Sequence, residues 1–154
     1  MAEDSTAKRL LVVHHTTSPV LDDLLAAALD GTSADGIVDV EVVVRAALSA
    51  TASDVLAADG FILGTPANIG YMSGALKHFF DCVYYPTLTA KIGAPYAVYV
   101  HGNNDTTGAV RAIETITGGM GWQRVHAPVE IIGQPTKADR ELVWELAATV
   151  AASL

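Results

Sequence analysis

Three short stretches hold most of the side chains that could do chemistry, and they offer hydrogen-bond donors rather than fixed charges. The first runs His14-His15-Thr16-Thr17-Ser18-Pro19, with three small hydroxyl residues just before an apolar-periodic segment. A helix start exposes unpaired backbone N–H groups and the positive end of the helix dipole, so such a turn can cradle a phosphate without Lys or Arg. Pro19 removes one donor but suits a first-turn position. Taken alone, the loop reads equally well as an ordinary Ser/Thr helix cap. The second stretch, from Gly64 to Gly74, reads Gly-Thr-Pro-Ala-Asn-Ile-Gly-Tyr-Met-Ser-Gly. Its glycines allow unusual dihedrals and no large charged side chain intrudes, so its backbone can approach a flat ring closely. The third is the polar run from His101 to Gly108, which includes Asn103 and Asn104.

These stretches are useful only if a framework brings them together, and the hydrophobic pattern supplies one. Residues 9–14 form a short apolar run suited to a strand buried on both faces. Val20, Leu21, Leu24, Leu25, Ala28 and Leu29 then recur on one helical face. Alternation over 37–44 gives a second strand nearer an edge, a short helix follows at about 53–58, and Phe61-Ile62-Leu63 forms a brief central third strand. Met72, Leu76, Phe79, Phe80 and Val83 carry the clearest helical period. A fourth strand spans 96–100, a helix follows through Val110, Ile113, Ile116 and Met120, and a fifth strand covers 128–132. Thr136 can cap a last helix with Asp139 and Glu141 in its first turn. Five strands alternating with five helices imply a parallel sheet covered on both faces, with right-handed crossovers. Ligands of such sheets sit beyond the carboxyl ends of the strands, where the three polar stretches fall.

Composition narrows the functional classes. The 154 residues fit one domain spanning 1–154, 51% hydrophobic and 17% charged, as expected of a packed globular chain. A net charge of −8 repels phosphate backbones, so no nucleic-acid partner is expected, and a phosphate ligand must be held by local donors. The single cysteine, Cys82, falls among apolar neighbours and is expected to be a buried structural thiol. The opening residues Glu3 and Asp4 and the short run Leu10–Val13 do not suit a secretory leader, and no stretch approaches membrane-spanning length. No membrane partner and a cytoplasmic location are therefore expected.

Other doubly wound proteins need motifs that are missing here. A dinucleotide-binding domain needs Gly-x-Gly-x-x-Gly after the first strand, where this chain has His14 to Pro19. A two-component receiver needs an acidic cluster there and an Asp ending the third strand, where Gly64-Thr65 stands. Gly70-Tyr71-Met72-Ser73-Gly74 has the wrong spacing for a serine-hydrolase elbow.

The run Asp59-Gly60-Phe61-Ile62-Leu63-Gly64-Thr65-Pro66, then Gly70-Tyr71-Met72-Ser73-Gly74, then Lys77, Phe79, Phe80 and Asp81 resembles the flavodoxin-like superfamily, in its NADPH-dependent FMN reductase and WrbA-like quinone reductase branch. The likeness extends in pattern over nearly the whole chain. It implies an α/β fold, a three-layer flavodoxin-like sandwich with a five-stranded parallel sheet in the order 2-1-3-4-5. It also implies flavin mononucleotide (FMN), held non-covalently. By the resemblance, His15, Thr16, Thr17, Ser18 and Val20 hold the phosphate. Thr65, Pro66, Ala67, Asn68, Ile69 and Gly70 lie against the isoalloxazine, and His101, Gly102, Asn103, Asn104 and Gly108 close over it. His15 stands where Ser or Thr is usual in such loops, and Ala67-Asn68-Ile69 replaces more polar or aromatic residues. The segment between the third helix and fourth strand is abbreviated, so tetramer formation is not carried over; a homodimer is expected from the resemblance alone.

The activity so implied is an oxidoreductase using NAD(P)H as electron donor and a quinone, free flavin or similar small acceptor, with no catalytic side chain. A flavodoxin-type electron carrier is the alternative, although such carriers ring the flavin with acids and only Asp105 lies in these loops. A third reading is a flavin-free binding module. His14, His15 and His101 all end strands, yet no fourth ligand accompanies them at a recognisable spacing, so no metal is expected. Tyr84 and Tyr85, Trp122 and Trp144 read as packing or interface residues.

Overall fold

The computed structural model describes residues 7–154; Glu3 and Asp4, used above in reading the leader, lie outside the described residues. The elements are β1 (Lys8–His14), α1 (Pro19–Gly31), β2 (Val40–Ala46), α2 (Ala52–Ala57), β3 (Gly60–Asn68), β4 (Tyr71–Met72), α3 (Gly74–Val83), β5 (Pro95–Gly102), α4 (Thr107–Gly119), β6 (Gln123–Arg124), β7 (Val129–Ile132) and α5 (Lys137–Ala152). The main sheet runs β2-β1-β3-β5 and then β6, with every pairing in it parallel. β7 also pairs with β5, in parallel.

Apolar runs form the central strands because both their faces are covered. Leu10, Val12 and Ile62 pack with Leu21, Leu24 and Ala28 of α1 and Val143, Leu146 and Val150 of α5. Leu11, Val13, Phe61 and Leu63 face the other way, against Val55 of α2, Leu76 and Phe79 of α3, and Ile113 of α4. Burial of each large side chain contributes about 1.5–3 kcal/mol. Trp122 joins this second layer, its ring stacked on Phe61 with centroids 3.9 Å apart. Thr136 caps α5 with a reciprocal Asp139 bond, as its spacing suggests, and Thr51 and Asp54 do the same for α2.

Among the described residues the sheet has seven strands, not five, although the core order is the expected one. The fifth position is split, with β6 pairing at the start of β5 and β7 at its end. β4 is the return limb of a hairpin with β3. The second strand starts at Val40, not at 37, because Asp39 takes a left-handed φ of 55° that interrupts extension. Cys82 is exposed, not buried. The buried face of α3 is Ala75, Leu76, Phe79, Phe80 and Val83, and position 82 lies outside that stripe.

Candidate functional site

Parallel register puts the three polar stretches at one end of adjacent strands. His14 is level with Gly64, and Thr65 and Pro66 are level with Val100 and His101. The chain leaves β1 beside β3, where His15 N–H donates to Gly64 O at 2.9 Å. Ser18 is the N-cap of α1, its Oγ accepting from Leu21 N–H at 3.2 Å. The Thr16 hydroxyl lies 2.8 Å from His14 Nδ1, while Thr17 is exposed. Among the described residues, no acceptor is bonded to the backbone N–H groups of Thr16, Thr17, Ser18 or Val20. A cluster of free donors at a helix start is the arrangement a phosphate needs, so this donor set fits the group. His15 Nδ1 is buried without a partner beside it. Burial, and secondarily the neighbouring His15, push His14 below the usual histidine range against a weaker opposing effect of Asp22. The neutral ring is thus favoured in this turn.

The second stretch is a hairpin rather than a loop. β3 continues to Asn68 and returns as β4, with Ala67 opposite Met72 and Asn68 opposite Tyr71. Ile69 (φ 51°) and Gly70 (φ 72°) form the two-residue turn, both left-handed as the primed hairpin turns require. Gly70 adopts this freely, whereas a β-branched residue there is strained by about 1–3 kcal/mol. Burial does not compensate, because Ile69 is fully exposed at 105%. Thr65 is wholly buried. Its hydroxyl donates to Pro66 O at 2.8 Å and accepts from Ser73 N–H at 3.2 Å, and Ser73 in turn caps α3. The Thr65 side chain therefore braces the hairpin base.

The third stretch is also more ordered than its composition suggests. His101 and Gly102 belong to β5, and Gly108 lies in the first turn of α4. His101 Nε2 is 2.8 Å from Gly133 O, so that ring nitrogen is occupied by the segment after β7. Asp105 accepts from Thr107 N–H at 2.9 Å, which holds its carboxyl below the ordinary value. The Thr106 hydroxyl donates to Glu130 at 2.9 Å.

Between hairpin and loop lies a cleft of about 570 Å³, lined by Ala67, Asn68, Ile69, Gly70, Asn103, Asn104 and Asp105. That volume is within the ~300–1,000 Å³ of small-molecule sites. Three amide side chains supply donors and acceptors, and Ala67 and Ile69 supply apolar surface. The fold thus brings Ala67 to Gly70 together with Asn103 and Asn104. Thr65, Pro66 and Gly102 are buried beneath them, and His101 is turned to Gly133. Asp105, noted from the sequence as the one acid in these loops but not among the expected contacts, joins the lining beside Asn104. Among the described residues, no group of His, Cys, Asp and Glu could hold a metal ion, and no helix is long and apolar enough to cross a membrane.

A parallel three-layer sandwich with its cleft beyond the strand ends defines a flavodoxin-like α/β protein. Solved structures agree on the fold. A flavodoxin from the domain Archaea superposes with a TM-score of 0.79 at 18% identity, covering 94% of this chain and 97% of that one. The WrbA-like flavodoxin from Agrobacterium tumefaciens gives 0.77 at 19% identity (96% and 97%). The flavodoxin of Streptococcus pneumonia TIGR4 gives 0.78 at 20% (96% and 100%). No curated protein matches the chain. The sequence model of the NADPH-dependent FMN reductase family matches residues 15–135, and the chain belongs to that family. Membership supports a flavin-binding oxidoreductase or electron carrier.

Proposed function

We propose that the protein binds FMN with its phosphate at the start of α1 and its ring system in the cleft, and acts as an NAD(P)H-dependent reductase of a small acceptor such as a quinone or free flavin. The observation that carries this reading is the set of free backbone donors at Thr16, Thr17, Ser18 and Val20, in the turn between β1 and α1, with β1 paired to the β3 strand that runs into a cleft of ligand size. When bound there, FMN would supply the hydride- and electron-transfer chemistry. The chain's own residues bind and orient. The N–H groups and the Thr17 hydroxyl hold the phosphate, with the His15 ring beside them. The amides of Asn68, Asn103 and Asn104 orient the polar edge of the ring and the ribityl chain, and Ile69 covers apolar surface. Thr65 and Gly108 set the position of the hairpin. No side-chain acid or base is assigned.

A one-electron carrier is disfavoured because, among the described residues, Asp105 alone is acidic in the cleft lining. Two measurements test the proposal. The purified protein should take up FMN on titration, with a perturbed flavin spectrum and release on denaturation. It should then oxidise NADH or NADPH steadily when given a quinone. A protein that never acquires FMN overturns the cofactor assignment. One that retains FMN but oxidises NADPH only with an added reductase is a carrier.

A further inference from the structure

From the end of β1 to the start of α1 the chain carries two histidines and no Lys or Arg, so the side chains there that can become positive are His14 and His15. His14 is the last residue of β1 and is half-buried, level with Ala46 of β2 and Gly64 of β3. Its Nδ1 lies 2.8 Å from the Thr16 hydroxyl oxygen. One proton occupies that contact, and the atom that owns it decides what else Thr16 can do. With Nδ1 unprotonated, the Thr16 O–H donates to the ring and its proton is turned away from any ligand. With Nδ1 protonated, the ring donates to the Thr16 oxygen and the hydroxyl proton is released to donate elsewhere. The backbone N–H of Thr16 has no acceptor among the described residues, so in the second state this residue offers two donors to one anion.

The surroundings of His14 set which state the turn prefers. Without a ligand, burial and then the neighbouring His15 hold the ring below the usual histidine range, against the weaker pull of Asp22 in the first turn of α1. The groups facing it from the other elements are engaged or neutral. Arg45, beside Ala46 on β2, lies 3.6 Å from Asp54. Gly64 has no side chain, and the space over it is filled by the Tyr99 ring of β5, whose phenol is kept protonated by burial. A phosphate seated at the start of α1 reverses the balance. A phosphomonoester carries about −1.5 to −2 charge at neutral pH, and an opposite charge within ~4–6 Å favours the imidazolium.

We propose that His14 is a positioning residue for the FMN phosphate: its ring takes up a proton as the phosphate seats, donates through Nδ1 to the Thr16 oxygen, and so turns the Thr16 hydroxyl onto the phosphate. The proton comes from solvent and returns to solvent on release, while Thr16 keeps its own. This role rests on the phosphate placement proposed above and adds to it a side chain outside the contacts assigned there. Binding takes up one proton in the window between the free and bound states of His14, so FMN affinity falls as pH rises through that window, by at most about tenfold per pH unit.

Fluorescence titration of the full chain with FMN and with riboflavin, at intervals from about pH 5.5 to 8, tests it. The phosphate of FMN itself titrates near pH 6, so the wild-type slope is read against that of His14→Asn, in which the phosphate's own titration is unchanged. Asn sets a neutral amide as many bonds from the backbone as Nδ1, and it can donate to Thr16 at every pH. Relative to His14→Asn, the wild-type dissociation constant for FMN should rise about three- to tenfold across the range, while riboflavin shows no difference. His14→Asn should stay within about threefold of the wild type at the acid end, and Thr16→Val should lose the same pH dependence. In NMR spectra the His14 ring should titrate at higher pH with FMN bound than with riboflavin bound, and thermal melts report that each variant is folded. A folded wild-type chain that binds no FMN at any pH overturns the phosphate placement itself. FMN binding whose pH profile runs parallel in the wild type and His14→Asn overturns the role of His14 alone and leaves the placement standing.

Discussion

Gly108 is where the packing of the candidate site can be tested most directly. A methyl group there would drive into the carbonyl oxygen of Gly70, well inside contact, and would lie 3.0 Å from the Gly70 carbonyl carbon. Both atoms are backbone, so neither can rotate away. α4 is anchored by Ala109 and Ile113, each 0% exposed, whereas the hairpin tip is exposed. The hairpin should therefore move. Restoring ordinary carbon–oxygen contact requires a shift of roughly 1 Å or more. Overpacking costs about 1–3 kcal/mol, and the better helix propensity of Ala returns about 1. Gly108→Ala should thus lower stability by at most about 2 kcal/mol. Displacing one wall of the cleft should weaken FMN binding at least tenfold, about 1.4 kcal/mol. Fluorescence titration with FMN and thermal melting read the two effects separately. Gly118 in the same helix has open space around it. Gly118→Ala should raise stability by up to about 1 kcal/mol and leave FMN binding unchanged. Normal FMN affinity together with a raised melting temperature in Gly108→Ala would refute the argument.

Three further perturbations separate the parts of the site, and a fourth checks the α3 surface. Ile69→Asn installs the Asn-Gly pair that the left-handed turn favours and should stabilise the protein by about 1 kcal/mol in a thermal melt; FMN affinity should fall through loss of apolar cover. Thr17→Glu sets a carboxylate among the free N–H groups and should weaken FMN at least tenfold while leaving riboflavin, which has no phosphate, within about twofold; equal losses for both ligands would move the phosphate elsewhere. His14 has a folded-state pKa below the usual histidine value of about 6.5, so between that value and the lowered one the unfolded chain binds more protons. Stability should therefore fall as pH drops below about 6.5, and His14→Gln should flatten that slope in urea midpoints measured across the window. Cys82, being exposed, should react with one equivalent of maleimide in the native protein without unfolding.

Much of the framework was legible because it rests on local periodicity. The runs that became β1 and β3 are apolar on both faces, and the α3 stripe repeats at helical spacing. Thr136 and Asp139 cap α5 over three residues. Each pattern reports burial through neighbours close in sequence. What escaped reading depends on partners far along the chain. Pro66 and Gly70 look like loop residues, yet β3 extends because Thr65 and Pro66 find Val100 and His101 across the sheet. Gln123 and Arg124 carry no strand pattern and pair only because Pro95 and Tyr96 lie alongside. His101 carries no sign in sequence that Gly133, 32 positions away, occupies its Nε2.

By itself, then, the sequence determined the layer architecture and the three places where a ligand could be met, since patterning and handed crossovers leave few alternatives, while the strand order came with the family resemblance. Tertiary structure decided which of those residues line the cleft. Thr65 was withdrawn into a brace for Ser73, Gly108 was spent on contact with Gly70, and Asp105 was turned into the cleft lining. The physical reason is that hydrogen bonds and close contacts between distant segments compete for the same atoms a ligand would use. Local sequence carries no record of which competitor wins.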